Sequence, residues 1–157
     1  AYAEHAVNHP GDAARGEKLF RDVQGIGCIK CHGVGGGQPK AGPDLLGVGV
    51  KYPQAELIRS VLEPSSRILS GYELTTVITS EGRVVQGVVK SRNAAGVDLF
   101  DVGGRAMTIA AEDIDEIETG SLSMMPNGLK DGMSLDDFAD IIAYLQSLRD
   151  PPPADVK

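Results

Sequence analysis

The sequence predicts a mainly α fold interrupted by an inserted small antiparallel β-sheet or barrel of about five strands. Two observations lead to this. Apolar residues recur at helical spacing near both ends of the chain, whereas from Glu73 to about Thr119 the pattern changes to β-branched runs separated by turn signals.

Taken in order, Ala1 to Pro10 shows no strong periodicity, so residues 1–11 read as a flexible lead. Asp12 is placed to cap a helix over Ala13–Val23 in which Leu19, Phe20 and Val23 share a face. Gly16, one turn before Phe20, weakens that helix and is best explained by another helix approaching closely. Glycines 33, 35, 36 and 37, followed by Gly42-Pro43-Asp44-Leu45, make the next stretch a loop. A short helix follows over Tyr52–Glu63, with Pro53 near its first position, Leu57, Ile58, Val61 and Leu62 on one face, and Pro64 to end it.

Strands are expected at Thr75–Thr79, Arg83–Lys90, Val97–Phe100 and Met107–Ile109, with a weaker one at Ile114–Ile117. Gly87 inside the second suggests a bulge or bend, and Asp113, Asp115, Glu116 and Glu118 read as a solvated acidic edge. After a loop over Ser121–Leu129 comes the clearest helix, about 135–149. Ser134 and Asp137 are spaced as a capping box, and Leu135, Phe138, Ile141, Ile142, Leu145 and Leu148 form one apolar face. Pro151, Pro152 and Pro153 then make a stiff tail over 151–157.

The chemistry is concentrated in Cys28-Ile29-Lys30-Cys31-His32. Two thiols three positions apart can each add across a vinyl group of one porphyrin, and the histidine that follows is then placed to ligate the iron. A thioredoxin-like redox pair would need a βαβ setting, and zinc would need two more ligands that no further cysteine supplies. A disulfide between Cys28 and Cys31 would close too small a loop to stabilise much. Haem c is the expectation. A haem would also add apolar surface to a core with only 4% aromatic residues and no Trp.

A sixth iron ligand has four methionine candidates. Met107 falls in a predicted strand and Met133 at a helix entrance, where packing explains them; Met124 and Met125 sit in a loop without periodicity. Pro126 restrains Met125 to extended backbone, which favours Met125 over Met124. His5, His9 or an open position remain as alternatives.

Net charge is −7, with the basic residues scattered, so nucleic acid is not an expected partner. No apolar run approaches the ~20 residues of a membrane span. Because haem c is attached outside the bacterial cytoplasm, a periplasmic or otherwise extracytoplasmic location is expected, with the chain a mature form or an excised domain.

The residues together resemble class I cytochromes c. The resemblance is carried by Gly11-Asp12-Ala13-Ala14-Arg15-Gly16-Glu17-Lys18-Leu19-Phe20, the Cys28–His32 motif, Gly42-Pro43-Asp44-Leu45, Met125-Pro126 and Ala143-Tyr144-Leu145, in that order. More narrowly, Tyr52-Pro53, Glu63-Pro64-Ser65, Gly71-Tyr72, Gly82, Gly87 and Ser123-Met124-Met125-Pro126-Asn127-Gly128-Leu129 resemble a haem-binding domain family common in planctomycetes and verrucomicrobia, often fused to dehydrogenase-like proteins. The resemblance implies thioether bonds at Cys28 and Cys31 and iron ligation by His32 and Met125. It also places Pro43 and Leu45 against the cofactor, the Pro43 carbonyl accepting a hydrogen bond from His32. Gly16 and Phe20 would meet Tyr144 and Leu145 where the first and last helices cross. The stretch between His32 and Met125 is longer than in a compact class I domain. Residues 12–71 and 120–150 are therefore expected to form the haem domain, and 72–119 an inserted β module.

The expected function is electron transfer, as a carrier or as the redox domain of a larger oxidoreductase, with a redox protein as partner, a fused or associated dehydrogenase being one candidate. Alternatives are a haem-based sensor or interaction module using the β insertion, and a peroxidase-like enzyme with an open distal position. The insertion is expected to be replaceable by a short linker without loss of the haem.

Overall fold

The computed structural model describes residues 1–149 apart from residue 36; the Pro-rich tail lies outside the described residues. The described residues form five α-helices, α1 (Tyr2–Asn8), α2 (Ala13–Arg21), α3 (Val48–Lys51), α4 (Gln54–Leu62) and α5 (Leu135–Ser147). Five strands, β1 (Glu73–Thr79), β2 (Val84–Asn93), β3 (Gly96–Asp101), β4 (Ala106–Ala110) and β5 (Ile114–Ser123), lie together between α4 and α5.

Helix accounts for 35% and strand for 26% of the described residues, so the fold is not mainly α; it combines a helical part with a substantial sheet. The expectation failed because the helices are short, α2 and α4 having nine residues each, while β2 and β5 have ten. Hydrogen bonding across the sheet extends the strands past the β-branched runs that signal them.

In the helical part, α5 is the hub. Ser134 and Asp137 start it with a reciprocal capping box, the Asp137 N–H donating to Ser134 Oγ at 3.1 Å and the Ser134 N–H to Asp137 Oδ2 at 3.0 Å. Phe138, Ile141 and Ile142 are fully buried on it, together with Phe20 from α2. Each such side chain contributes roughly 1.5–3 kcal/mol. Asp12 caps α2, accepting from the N–H groups of Ala14 and Arg15 at 2.9 and 3.1 Å.

Where α2 crosses α5, a Cβ on Gly16 would stand 2.0 Å from the Asp140 carbonyl oxygen and 2.9 Å from Tyr144 Cβ. The glycine is there because the two backbones touch. Phe20 then meets Tyr144 edge-on, with ring centroids 5.3 Å apart.

Residues 2–8, expected to belong to a flexible lead, form α1. Ala6 is buried, Tyr2 packs edge-on against Phe138, and the Tyr2 hydroxyl donates to the Met133 carbonyl at 2.8 Å. Seven residues are too few for a helical periodicity to stand out, and it is contact with α5 that stabilises them.

The sheet is antiparallel throughout, in the order β4-β3-β2-β1-β5. Successive hairpins build β1 to β4, and β5 returns beside β1 after a single 3₁₀ turn over Ala111–Asp113. Val77, Val85, Val97, Leu99 and Ile109 form its own core, separate from the helical one. Gly87 is not a bulge: it pairs in register with Thr75 and Asp101, and a Cβ there would stand 2.2 Å from the Phe100 carbonyl oxygen. In β2 the irregularity falls between Val89 and Ser91, and the pairing of β1 with β5 has two more, between Glu73 and Thr75 and between Ile78 and Thr79. The acidic residues Asp115, Glu116 and Glu118 are exposed on β5, an edge strand that their charge protects from further pairing.

Gly16→Ala should destabilise the protein by about 3 kcal/mol, the upper end of overpacking costs. Gly132→Ala, whose Cβ would have nothing within 4 Å, should be close to neutral. Urea unfolding of both variants checks the difference.

Candidate functional site

The motif begins at Gly27, whose left-handed backbone (φ 57°) turns the chain into a single 3₁₀ turn over Cys28–Lys30. The Cys28 carbonyl accepts from the N–H groups of both Cys31 and His32, at 3.1 and 2.9 Å. Two cysteines and a histidine are thereby held by one turn of backbone. Both cysteines are free and partly buried. Burial pushes the Cys28 thiol up to about 11. Burial also raises the Cys31 thiol, against the opposing pull of Lys40 and Lys30 and with a further push from Asp101. Each thiol is therefore protonated at neutral pH.

His32 Nδ1 lies 2.8 Å from the Pro43 carbonyl oxygen, and a carbonyl can only accept, so Nδ1 carries the proton. Burial lowers the His32 pKa, with the Pro43 carbonyl opposing, and the ring stays neutral. Among the described residues no hydrogen bond engages Nε2, which leaves a neutral nitrogen lone pair at that atom.

The loop after the motif is tied back onto it. Gly42 donates to the Cys31 carbonyl at 2.7 Å, Leu45 to the Gly33 carbonyl at 2.8 Å, and Lys40 Nζ to the Ile29 carbonyl at 2.5 Å. The Asp44 carboxylate accepts from the N–H groups of Gly35 and Leu46. Gly42 passes so close to the imidazole that a Cβ would stand 2.6 Å from His32 Cε1.

Of the methionines, Met107 packs in the sheet core and Met133 is buried in the helical core. Met124 and Met125 are both partly buried, and of the two it is Met125 that packs against the helical cluster, which also takes in Cys28, Leu45, Ile26 and Val34. Its N–H donates to Ser123 Oγ at 3.1 Å. His5 is bound to Asp136 at 2.8 Å and His9 stacks on His5, both on α1 or its end.

Two parts of the surroundings were not legible in the sequence. The turn between β3 and β4 touches the motif at Gly104, and Tyr72, just before β1, and Lys90 of β2 line a cavity of about 250 Å³ together with Gln38, Lys40 and Gly42. Neither has a sequence signal, because both join residues far apart in the chain.

The family model for cytochrome c matches residues 13–75. No curated protein matches the chain. The matched segment contains Cys28, Cys31, His32, Pro43 and Leu45, and leaves Met125 and all but the start of the sheet outside it. It supports a c-type cytochrome, which implies covalently bound haem c and redox partners. The donor set fits that group: two uncharged free thiols, a neutral imidazole with its second nitrogen already bonded, and an apolar rim.

Gly42→Val should displace the His32 ring and break its bond to Pro43. The expected outcome is purified protein with a reduced haem-to-protein ratio, measured by absorbance against total protein.

Proposed function

We propose that the chain carries one haem c, held by thioether bonds from Cys28 and Cys31, with His32 and Met125 as the axial ligands of the iron, and that it transfers electrons. A haem held in this way supplies an iron that alternates between ferric and ferrous states. The observation that carries the reading is the His32 Nδ1 bond to the Pro43 carbonyl beside two free, uncharged thiols. That bond orients the ring, keeps the proton on Nδ1 and leaves Nε2 to face a metal. Cys28 and Cys31 fix the position of the cofactor, and Leu45 with its apolar neighbours excludes water from one side. Met125 offers a thioether, a soft donor that favours the ferrous state.

The protein is an electron carrier rather than an enzyme in its own right, working outside the cytoplasm alone or as the redox domain of a larger oxidoreductase. In this reading it resembles the planctomycete and verrucomicrobial haem-binding domains. Residues 12–71 and 120–150 form the haem domain and 72–119 the insertion. The two separate apolar cores support that division. No helix among the described residues is long and apolar enough to cross a membrane.

Extraction into acidified organic solvent should leave the colour with the polypeptide; haem in the solvent layer would contradict covalent attachment. Met125→Ala should remove the weak near-infrared absorption of thioether-ligated ferric haem, while Met124→Ala retains it. The reverse pattern would move the ligand to Met124.

A further inference from the structure

The turn between β3 and β4 crosses from the sheet to the attachment motif. Asp101 and Arg105 close it, the Asp101 N–H donating to the Arg105 carbonyl and the Gly104 N–H to the Asp101 carbonyl, both at 2.8 Å. Inside the turn, Asp101 Oδ1 accepts from the N–H groups of Gly103 and Arg105 at 2.9 and 3.0 Å, and Arg105 Nε lies 3.5 Å from Oδ2. These bonds, the one from the Arg105 N–H foremost, hold the Asp101 carboxyl below its usual range, so it is charged at neutral pH. Gly104 has φ +80°, and a Cβ there would stand 2.7 Å from the Lys30 carbonyl oxygen and 3.5 Å from Cys31 Sγ. The turn is thus rigid, charged and seated on the second cysteine of the motif.

We infer that the turn Asp101–Arg105 is an outer wall of the haem attachment, with Gly104 as the positioning residue and the Asp101 carboxylate as a fixed charge that lowers the reduction potential. The inference rests on Cys31 carrying a thioether bond to haem. Oxidised iron is one unit more positive than reduced iron, so a nearby fixed carboxylate stabilises the oxidised form. The wall matters because it fixes where that carboxylate sits. A linker in place of the insertion would remove both wall and charge and leave the attachment residues Cys28, Cys31 and His32 in the chain.

The test uses the haem-bearing full chain. Asp101→Asn keeps an oxygen that can accept from Gly103 and Arg105 but removes the charge, and should shift the midpoint potential upward in a spectroelectrochemical titration. Gly104→Val should lift the turn and speed amide hydrogen exchange across Cys28–His32. Gly82→Val is matched to it in strain, with φ +81° in another hairpin turn and nothing within 4 Å of the added Cβ, and should leave that exchange unchanged. An unchanged potential in Asp101→Asn, or equal exchange in the two valine variants, overturns the inference while the haem reading stands. Should Gly104→Val fail to fold, Asp101→Asn alone decides. Absence of covalent haem from the unsubstituted protein would overturn both.

Discussion

Direct backbone contact with α5 is the constraint on which the helical part depends. Added Cβ atoms on Gly11, Gly16 and Gly49 would stand 2.2, 2.0 and 2.1 Å from the carbonyl oxygens of Ala139, Asp140 and Gln146. Three segments, the approach to α2, α2 itself and α3, therefore press on one helix at distances that only glycine allows. Gly49 also donates its N–H to the Leu148 carbonyl at 2.9 Å, satisfying a group that the end of α5 leaves free. Close approach brings the flanking side chains, Phe20 among them, into full burial.

Asp140 shows what this approach demands. It is only 4% exposed, accepts from the Asp12 N–H at 2.6 Å, and has its second oxygen 3.0 Å from Arg15 Nε, an ion pair without good hydrogen-bond geometry. A buried carboxylate is costly unless paired, and here the pairing ties the start of α2 to the middle of α5. The position of α2 then carries forward. Six residues separate its end from Cys28, so the helix crossing and the left-handed turn at Gly27 together determine where the motif begins.

The helical part and the sheet keep separate cores, yet they are not independent around the motif. The Ser123 N–H donates to Ser65 Oγ at 3.0 Å where the chain leaves the sheet. Gly104 sits on Lys30 and Cys31, and Tyr72 and Lys90 face the loop that holds His32. The cation of Lys90 lies 4.3 Å from the Tyr72 ring centroid, and its pKa is lowered by desolvation.

Local patterns in the sequence were sufficient for the Asp12 cap, the Ser134–Asp137 capping box, the apolar face of α5, the close approach at Gly16 and the approximate strands, because each depends on residues a few positions apart. The same holds for the spacing of Cys28, Cys31 and His32 and for the cytochrome-like character it points to. The balance of helix and strand, the helix at residues 2–8, the bulge beside Lys90 rather than at Gly87, the burial of Asp140 and the seat of Gly104 on Cys31 were decided only by tertiary structure. Strand length is set by hydrogen bonds to a neighbouring strand, a seven-residue helix is stabilised by the surface it packs on, and contact between residues some seventy positions apart leaves no period in either segment. The sequence determined the chemistry that the chain can offer, and the packing of the sheet against the motif decided the surroundings in which that chemistry is held.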